Sequence, residues 1–136
     1  MAQWSGGCLC GQLHWAADSA PDFMGHCYCG DCRKASGSGF IPFMSYGADA
    51  VRITGESRIF ISKSFRGGDA VRNFCPVCGG LVFGGMRGRD ETFTIYAGTL
   101  DDATLFRPTL ALFARDRPDW AGLPDGLKVF ETMPPA

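Results

Sequence analysis

The sequence has no excess of either charge. It carries 13 lysines and arginines against 14 aspartates and glutamates, a formal net charge of −1 over 136 residues. The basic residues are also scattered along the chain rather than clustered. A nucleic-acid-binding module usually presents a basic face and a high net positive charge. The composition therefore predicts that nucleic acid is not a partner.

Long apolar runs are also missing. No stretch approaches the ~18 consecutive apolar residues that a membrane-spanning helix needs, and residues 1–7 have neither a basic start nor an apolar core. We therefore expect no signal peptide and no membrane association. A chain without an export signal is expected in the cytoplasm, where reducing conditions keep thiols free to bind metal ions.

Glycine and proline, in contrast, are abundant, with 19 and 8 residues. They favour turns and short strands over long helices. Apolar alternation and turn residues predict strands at 11–17, 39–46, 51–54, 58–63, 72–74, 81–83, 92–97 and 109–114. Because Pro42 interrupts the second of these segments, we expect an edge or bent strand there. One short helix is predicted at about 31–36, with Cys32 in its first turn.

These elements predict a mostly β fold. The chain shows no internal repeat, low-complexity segment or linker, and its length can bury a core of its own. We therefore expect a single domain of residues 1–136, with the segment after residue 118 laid over it in extended form.

No cysteine lies outside three short clusters. The seven cysteines are Cys8 and Cys10, then Cys27, Cys29 and Cys32, then Cys75 and Cys78. Spacings of C-x-C and C-x-x-C let neighbouring thiolates bind one metal ion from a short piece of backbone, as they do in zinc sites. Disulfides are the alternative, but they need an oxidising compartment and would leave one of the seven cysteines unpaired.

The clusters divide into two predicted zinc sites. Cys27, Cys29 and Cys32 lie within six residues of each other, so they can occupy three corners of one tetrahedron. The remaining four thiolates then form a closed structural site, made of Cys8, Cys10, Cys75 and Cys78. We therefore predict two zinc ions per chain, one of them short of a fourth protein ligand.

The three-cysteine site is the predicted centre of chemistry. Its open position suits a substrate thiol, because binding to zinc lowers the pKa of the thiol and produces a nucleophilic thiolate at neutral pH. The alternative is that His26 closes the site. Adjacent residues of an extended segment point to opposite faces, however, so His26 and Cys27 would not easily share one ion.

Five stretches of the chain resemble one known family. They are GGCLCG (6–11), HCYCGDCRKASG (26–37), FCPVCG (74–79), AGTLDD (97–102) and RPDWAGLPDGL (117–127). Together and in this order they are similar to the glutathione-dependent formaldehyde-activating enzymes, a family that includes the centromere protein V group. The resemblance implies a zinc-binding β-tent of layered antiparallel sheets. It also implies the division of ligands given above, with the catalytic zinc on Cys27, Cys29 and Cys32.

The named reaction of that family is the addition of glutathione to formaldehyde, which gives S-hydroxymethylglutathione and is classed as a carbon–sulfur lyase in the reverse sense. The resemblance thus implies a small thiol and a small aldehyde as partners. Because glutathione carries two carboxylates, its site needs cationic side chains. The predicted contacts are Arg33 and Lys34, directly after the cysteines, and Arg66 in the loop 65–68. The alternative for each of the three is that it is an ordinary solvated surface charge with no role in binding.

Two other functions fit parts of the pattern. A chaperone-like or interaction module of similar fold would hold a single closed zinc, and the three-cysteine cluster would then have no use. An enzyme of the same architecture acting on another thiol adduct or electrophile fits every cluster, because a shared scaffold fixes metal sites better than substrates.

Overall fold

The computed structural model describes residues 3–135, which contain eleven β-strands in two sheets and a single α-helix. The strands are β1 (Trp4–Gly7), β2 (His14–Ala17), β3 (Phe23–Cys27), β4 (Ile41–Gly47), β5 (Val51–Thr54), β6 (Arg58–Lys63), β7 (Asp69–Phe74), β8 (Leu81–Gly84), β9 (Thr92–Tyr96), β10 (Leu110–Leu112) and β11 (Lys128–Val129). The helix α1 spans Gly30–Ser36. With 38% strand and 14% helix, the predicted mostly β class is confirmed.

The two sheets form layers. Three antiparallel strands make the small sheet, in the order β1-β2-β5. Eight strands make the large sheet, in the order β11-β10-β3-β4-β9-β8-β7-β6. The large sheet is antiparallel except at one end, where β10 runs parallel to both β3 and β11. The layered sheets expected from the resemblance are therefore present.

The main core lies between the two sheets. Leu13 and Trp15 enter it from the small sheet side, and both are fully buried. Met44 of β4 and Ile95 of β9 meet them from the large sheet. Side chains of a strand alternate between faces, so the neighbours of these core residues lie on the other face of the large sheet. That second face carries the candidate site.

The prediction of an edge strand at Pro42 is wrong. Pro42 lies in β4, which is an interior strand between β3 and β9 rather than an edge strand. The proline is tolerated because it sits near the start of the strand. Pairing with β9 begins only at Phe43, so the missing N–H of Pro42 takes no bond from that ladder.

The helix prediction is confirmed to within one residue. The helix α1 ends at Ser36, and Gly37 follows as the C-cap with a left-handed φ of 70°. It is a short helix of seven residues, and no helix among residues 3–135 is long and apolar enough to cross a membrane.

Candidate metal centres and cavity

Four cysteines meet where two turns of the chain come together. Cys8 and Cys10 lie between β1 and β2, and Cys75 and Cys78 lie between β7 and β8. All four sulfurs lie within 4.8 Å of one another. The Cys8–Cys10 and Cys10–Cys75 Sγ atoms are each 3.7 Å apart. Zinc–sulfur bonds of about 2.3 Å in a tetrahedron place sulfurs about 3.8 Å apart, so the group fits a zinc ion.

Hydrogen bonds favour the thiolate form of Cys75 in this centre. The Sγ atom of Cys75 accepts bonds from the backbone N–H of Val77 at 3.3 Å and from Nε2 of Gln12 at 3.2 Å. Burial opposes the ionisation of Cys75, but the hydrogen bonds it accepts outweigh burial and lower its pKa to about 6. The turn closes through Gly79, whose φ of 76° is the conformation expected of a glycine in a zinc knuckle.

The other three cysteines form a second group, again with sulfurs within 4.8 Å of one another. Cys27 ends β3, Cys29 is the N-cap of α1, and Cys32 lies in the first turn of the helix. The closeness of the Cys27 and Cys32 thiols lowers the pKa of Cys29, whose Sγ atom also accepts a hydrogen bond from the backbone N–H of Cys32 at 3.1 Å. The same closeness raises the pKa of Cys27. Three cysteine sulfurs held this close together suit a metal ion that prefers thiolate ligands.

His26 lies away from these sulfurs. Its ring stacks on Phe40, with centroids 4.3 Å apart, and its Nδ1 atom is 3.3 Å from the hydroxyl of Tyr28. Only 7% of the residue is exposed, and burial lowers the pKa of the imidazole. Among the described residues, the candidate ligand group beside Cys27 contains cysteines only. The structure therefore gives no support to closure of the site by His26.

The three-cysteine group opens into a cavity of about 660 Å³. The floor of the cavity is the second face of the large sheet. Four neighbouring strands each contribute a residue to it: Phe43 from β4, Tyr96 from β9, Gly84 from β8 and Arg72 from β7. Apolar side chains form much of the wall, among them Phe23, Ile41, Leu112, Phe113 and Met133. The size and the apolar wall are typical of a small-molecule site.

Of the three cations predicted from the sequence to contact the substrate, one lines the cavity and two do not. Arg66 lines the cavity, and its Nη2 atom donates to the carbonyl oxygen of Pro134 at 2.6 Å. Arg33 and Lys34 lie on α1 and do not line the cavity. Three further cations do line it, Lys63, Arg72 and Arg115. Sequence reasoning missed Lys63 and Arg115, because neither is close in sequence to a cysteine.

The family model for the glutathione-dependent formaldehyde-activating enzyme matches residues 3–116, which include all seven cysteines. The chain belongs to the glutathione-dependent formaldehyde-activating enzyme family. No significant match was found among curated proteins.

The fold is also similar to a solved structure, that of a Rhodobacter sphaeroides protein determined as a structural genomics target. The TM-score is 0.53, with 18% sequence identity over 72% of this chain and 88% of that chain. At this identity the likeness concerns the fold alone.

In this member of the formaldehyde-activating family, one arginine lies directly beside the three-cysteine group. The Nη2 atom of Arg72 is 3.9 Å from the Sγ atom of Cys32, and its Nη1 atom is 3.4 Å from the hydroxyl of Ser62. The side chain is half-buried and lines the cavity. The only signal in the sequence was the place of Arg72 in the predicted strand 72–74. In the structure, Val71 and Asn73 on either side of it are buried, which places Arg72 on the opposite face.

Proposed function

We propose that this chain is a zinc-dependent enzyme that joins a low-molecular-weight thiol, glutathione in the first place, to a small aldehyde such as formaldehyde. In the reverse direction the reaction is that of a carbon–sulfur lyase. The observation that carries the proposal is the cluster of three cysteine sulfurs that lines a cavity of about 660 Å³. Membership of the family supports the choice of glutathione and formaldehyde.

The donor set fits zinc at both groups of sulfurs. We assign a structural zinc to Cys8, Cys10, Cys75 and Cys78, and a catalytic zinc to Cys27, Cys29 and Cys32. Thiolates are ligands that zinc prefers, and four of them close a tetrahedral site whereas three leave one position open. When bound at the three-cysteine group, zinc lowers the pKa of a substrate thiol so that its thiolate forms at neutral pH.

The cavity residues supply binding and orientation. Arg66, Lys63 and Arg115 offer cations to the two carboxylates of glutathione. Phe43, Leu112 and Phe113 form an apolar wall that packs beside Cys27 and Cys29. Holding thiol and aldehyde together in this space raises their effective concentration, which supplies much of the rate of an addition reaction.

We assign the activity to a single domain of residues 1–136. The tail beyond the family match supplies Met133 to the cavity, and the carbonyl oxygen of Pro134 accepts from Arg66. We place the enzyme in the cytoplasm, where glutathione keeps thiols reduced.

A separate observation supports a second candidate function. Formaldehyde has a single carbon, whereas the wall next to Cys27 presents several large apolar side chains, such as Phe43 and Leu112. These side chains favour an electrophile or thiol adduct that carries an apolar group. The same scaffold would then act on a different adduct by the same addition to sulfur.

Zinc content per chain, measured with and without glutathione, tests the proposal together with an assay of hemithioacetal formation. The proposal expects two zinc ions, with the second held more tightly when glutathione is present, and turnover of a thiol with an aldehyde. One zinc under all conditions and no turnover would instead favour an interaction module. Turnover of apolar aldehydes but not of formaldehyde would favour the second candidate.

A further inference from the structure

The addition of a thiol to an aldehyde creates charge at an atom that the cysteines do not contact. The sulfur of the thiolate forms a bond to the carbonyl carbon, and the π electron pair of the C=O bond moves to the oxygen. The resulting alkoxide takes up a proton from solvent, which replaces the proton that the thiol released on ionisation. Hydrogen-bond donors fixed around this oxygen stabilise the charge as it develops and speed the reaction.

Two donors on the second face of the large sheet are aligned by strand register. Arg72 of β7 pairs with Gly84 of β8, and Gly84 pairs with Thr94 of β9. Tyr96 follows Thr94 by two residues, so its side chain lies on the same face. Arg72 and Tyr96 both line the cavity together with the three cysteines.

Gly84 makes room for this pair. A Cβ atom at Gly84 would lie 3.1 Å from the hydroxyl oxygen of Tyr96, which is tighter than an ordinary van der Waals contact. The phenol of Tyr96 therefore extends over β8 in the direction of β7, the strand that carries Arg72. A larger residue between the two strands would separate the hydroxyl from the guanidinium.

Both side chains have donors to offer. The Nε atom of Arg72 is buried and, among residues 3–135, has no hydrogen-bond partner. The side-chain hydrogen bonds found in the same part of the chain include none made by the Tyr96 hydroxyl, whereas the buried phenols of Tyr28 and Tyr46 each donate to a backbone carbonyl. Buried donors are nearly always paired in native proteins, so an unpaired one calls for an explanation.

The charge state of both groups suits donation to an oxyanion. Burial raises the pKa of Tyr96, so the phenol keeps its proton at neutral pH. Arg72 remains a cation, and the guanidinium is one of the few groups that can donate to sulfur and to an oxygen ligand at the same time. The contact of 3.9 Å with Cys32 holds the guanidinium at the edge of the sulfur cluster, where the new carbon–sulfur bond would form.

We propose that Arg72 and Tyr96 form the subsite that binds the carbonyl oxygen of the aldehyde and stabilises the alkoxide of the hemithioacetal. This inference rests on the proposed function and adds the residues that recognise the second substrate. The second substrate must therefore carry a carbonyl oxygen able to accept two hydrogen bonds.

The test compares Tyr96→Phe and Arg72→Met with the matched control Tyr46→Phe. Tyr46 is a buried phenol of the core face, whose hydroxyl donates to the carbonyl of Ser19 at 3.0 Å. Loss of one oxyanion donor lowers kcat by about 100-fold in other enzymes. We expect a loss of that order for Tyr96→Phe, with the KM of the thiol and the zinc content unchanged. The control should lose some stability but keep kcat.

The outcomes separate the inference from the function on which it rests. If the wild-type chain converts no thiol and aldehyde pair, the proposed function fails and the inference fails with it. If the wild type is active and Tyr96→Phe keeps most of its kcat, the inference alone is overturned. It is also overturned if Tyr46→Phe loses as much activity as Tyr96→Phe, because the effect would then be a general one. If Arg72→Met loses zinc, Arg72 is a structural partner of Cys32, and the assignment of an oxygen-binding role to it is refuted.

Discussion

The Sγ atom of Cys29 accepts a hydrogen bond from the backbone N–H of Cys32 at 3.1 Å, so one side chain both caps α1 and belongs to the three-sulfur group. Serine is also a good N-cap. We therefore expect Cys29→Ser to keep the helix and the fold while it loses about one zinc per chain and all activity. Metal analysis, thermal unfolding and the turnover assay measure the three effects.

Cys29→Ala is the companion variant, since it removes the cap as well as the ligand. It should be about 1 kcal/mol less stable than Cys29→Ser. If Cys29→Ser instead unfolds as completely as Cys78→Ser, the division into a catalytic and a structural site is wrong.

The four-cysteine centre should behave in the opposite way. Cys10 and Cys75 are 65 positions apart in the sequence, yet their sulfurs are 3.7 Å apart, so a metal here links the start of the chain to the β7–β8 turn. Structural zinc contributes on the order of 10 kcal/mol of apparent folding free energy. We expect Cys78→Ser, or prolonged chelation of the wild type, to abolish cooperative unfolding as followed by circular dichroism. Retention of the wild-type melting curve after complete loss of zinc would contradict this.

Substitution of Asn73 should destabilise the sheet strongly. Only 1% of it is exposed, and its Nδ2 atom donates to the carbonyls of Gly85 at 2.7 Å and Phe83 at 3.3 Å. Its Oδ1 atom accepts from the hydroxyl of Ser57 at 3.0 Å. Asn73→Ala leaves these groups without partners, and we expect a loss of about 3 kcal/mol in the free energy of unfolding.

Ser57→Ala is the matched control for Asn73, because it removes one bond of the same network. It should cost about 1 kcal/mol. Denaturant unfolding of the zinc-loaded proteins measures both losses, and equal losses would show that the amide of Asn73 is not the centre of the network.

Arg66 and Arg33 provide a test of substrate contacts. Arg66 lines the cavity and Arg33 does not, although Arg33 directly follows a proposed zinc ligand in sequence. A charge-assisted hydrogen bond to a carboxylate is worth about 1.5 kcal/mol or more, so Arg66→Ala should raise the KM for glutathione about tenfold. Arg33→Ala and Lys34→Ala should leave it near the wild-type value. The opposite ranking in steady-state kinetics would move the carboxylate site to the helix.

The two cysteine groups could be predicted from the sequence because their geometry is mostly local. Cys27, Cys29 and Cys32 lie on one β-to-helix turn, and each remaining pair of cysteines lies on one tight turn. Short backbone segments of this kind fix the separation of their sulfurs almost regardless of the rest of the fold. Only the meeting of Cys10 with Cys75 depended on tertiary structure, and the count of seven cysteines left one consistent division.

The cavity could not be predicted in the same way. Arg72 and Cys32 are 40 positions apart in the sequence. Their contact depends on long-range strand pairing, such as the pairing of β7 with β8. Sequence proximity favoured Arg33 and Lys34 instead, but a helix of seven residues turns neighbours to different sides. Pro42 shows the same limit for strands, because its residue type indicates an edge whereas the order of the sheet is decided by long-range pairing.

The two faces of the large sheet imply an alternating pattern of tolerance to mutation. Along β4, Met44 and Tyr46 face the core, while Phe43 and Ser45 face the cavity. Along β9, Ile95 has the same core position as Met44. In a saturation scan scored separately for abundance and for turnover, substitutions at core positions should reduce abundance, and those one residue away should change substrate preference. Relatives could therefore differ in chemistry through the cavity-facing residues of these strands, while the core-facing residues that alternate with them keep the fold stable.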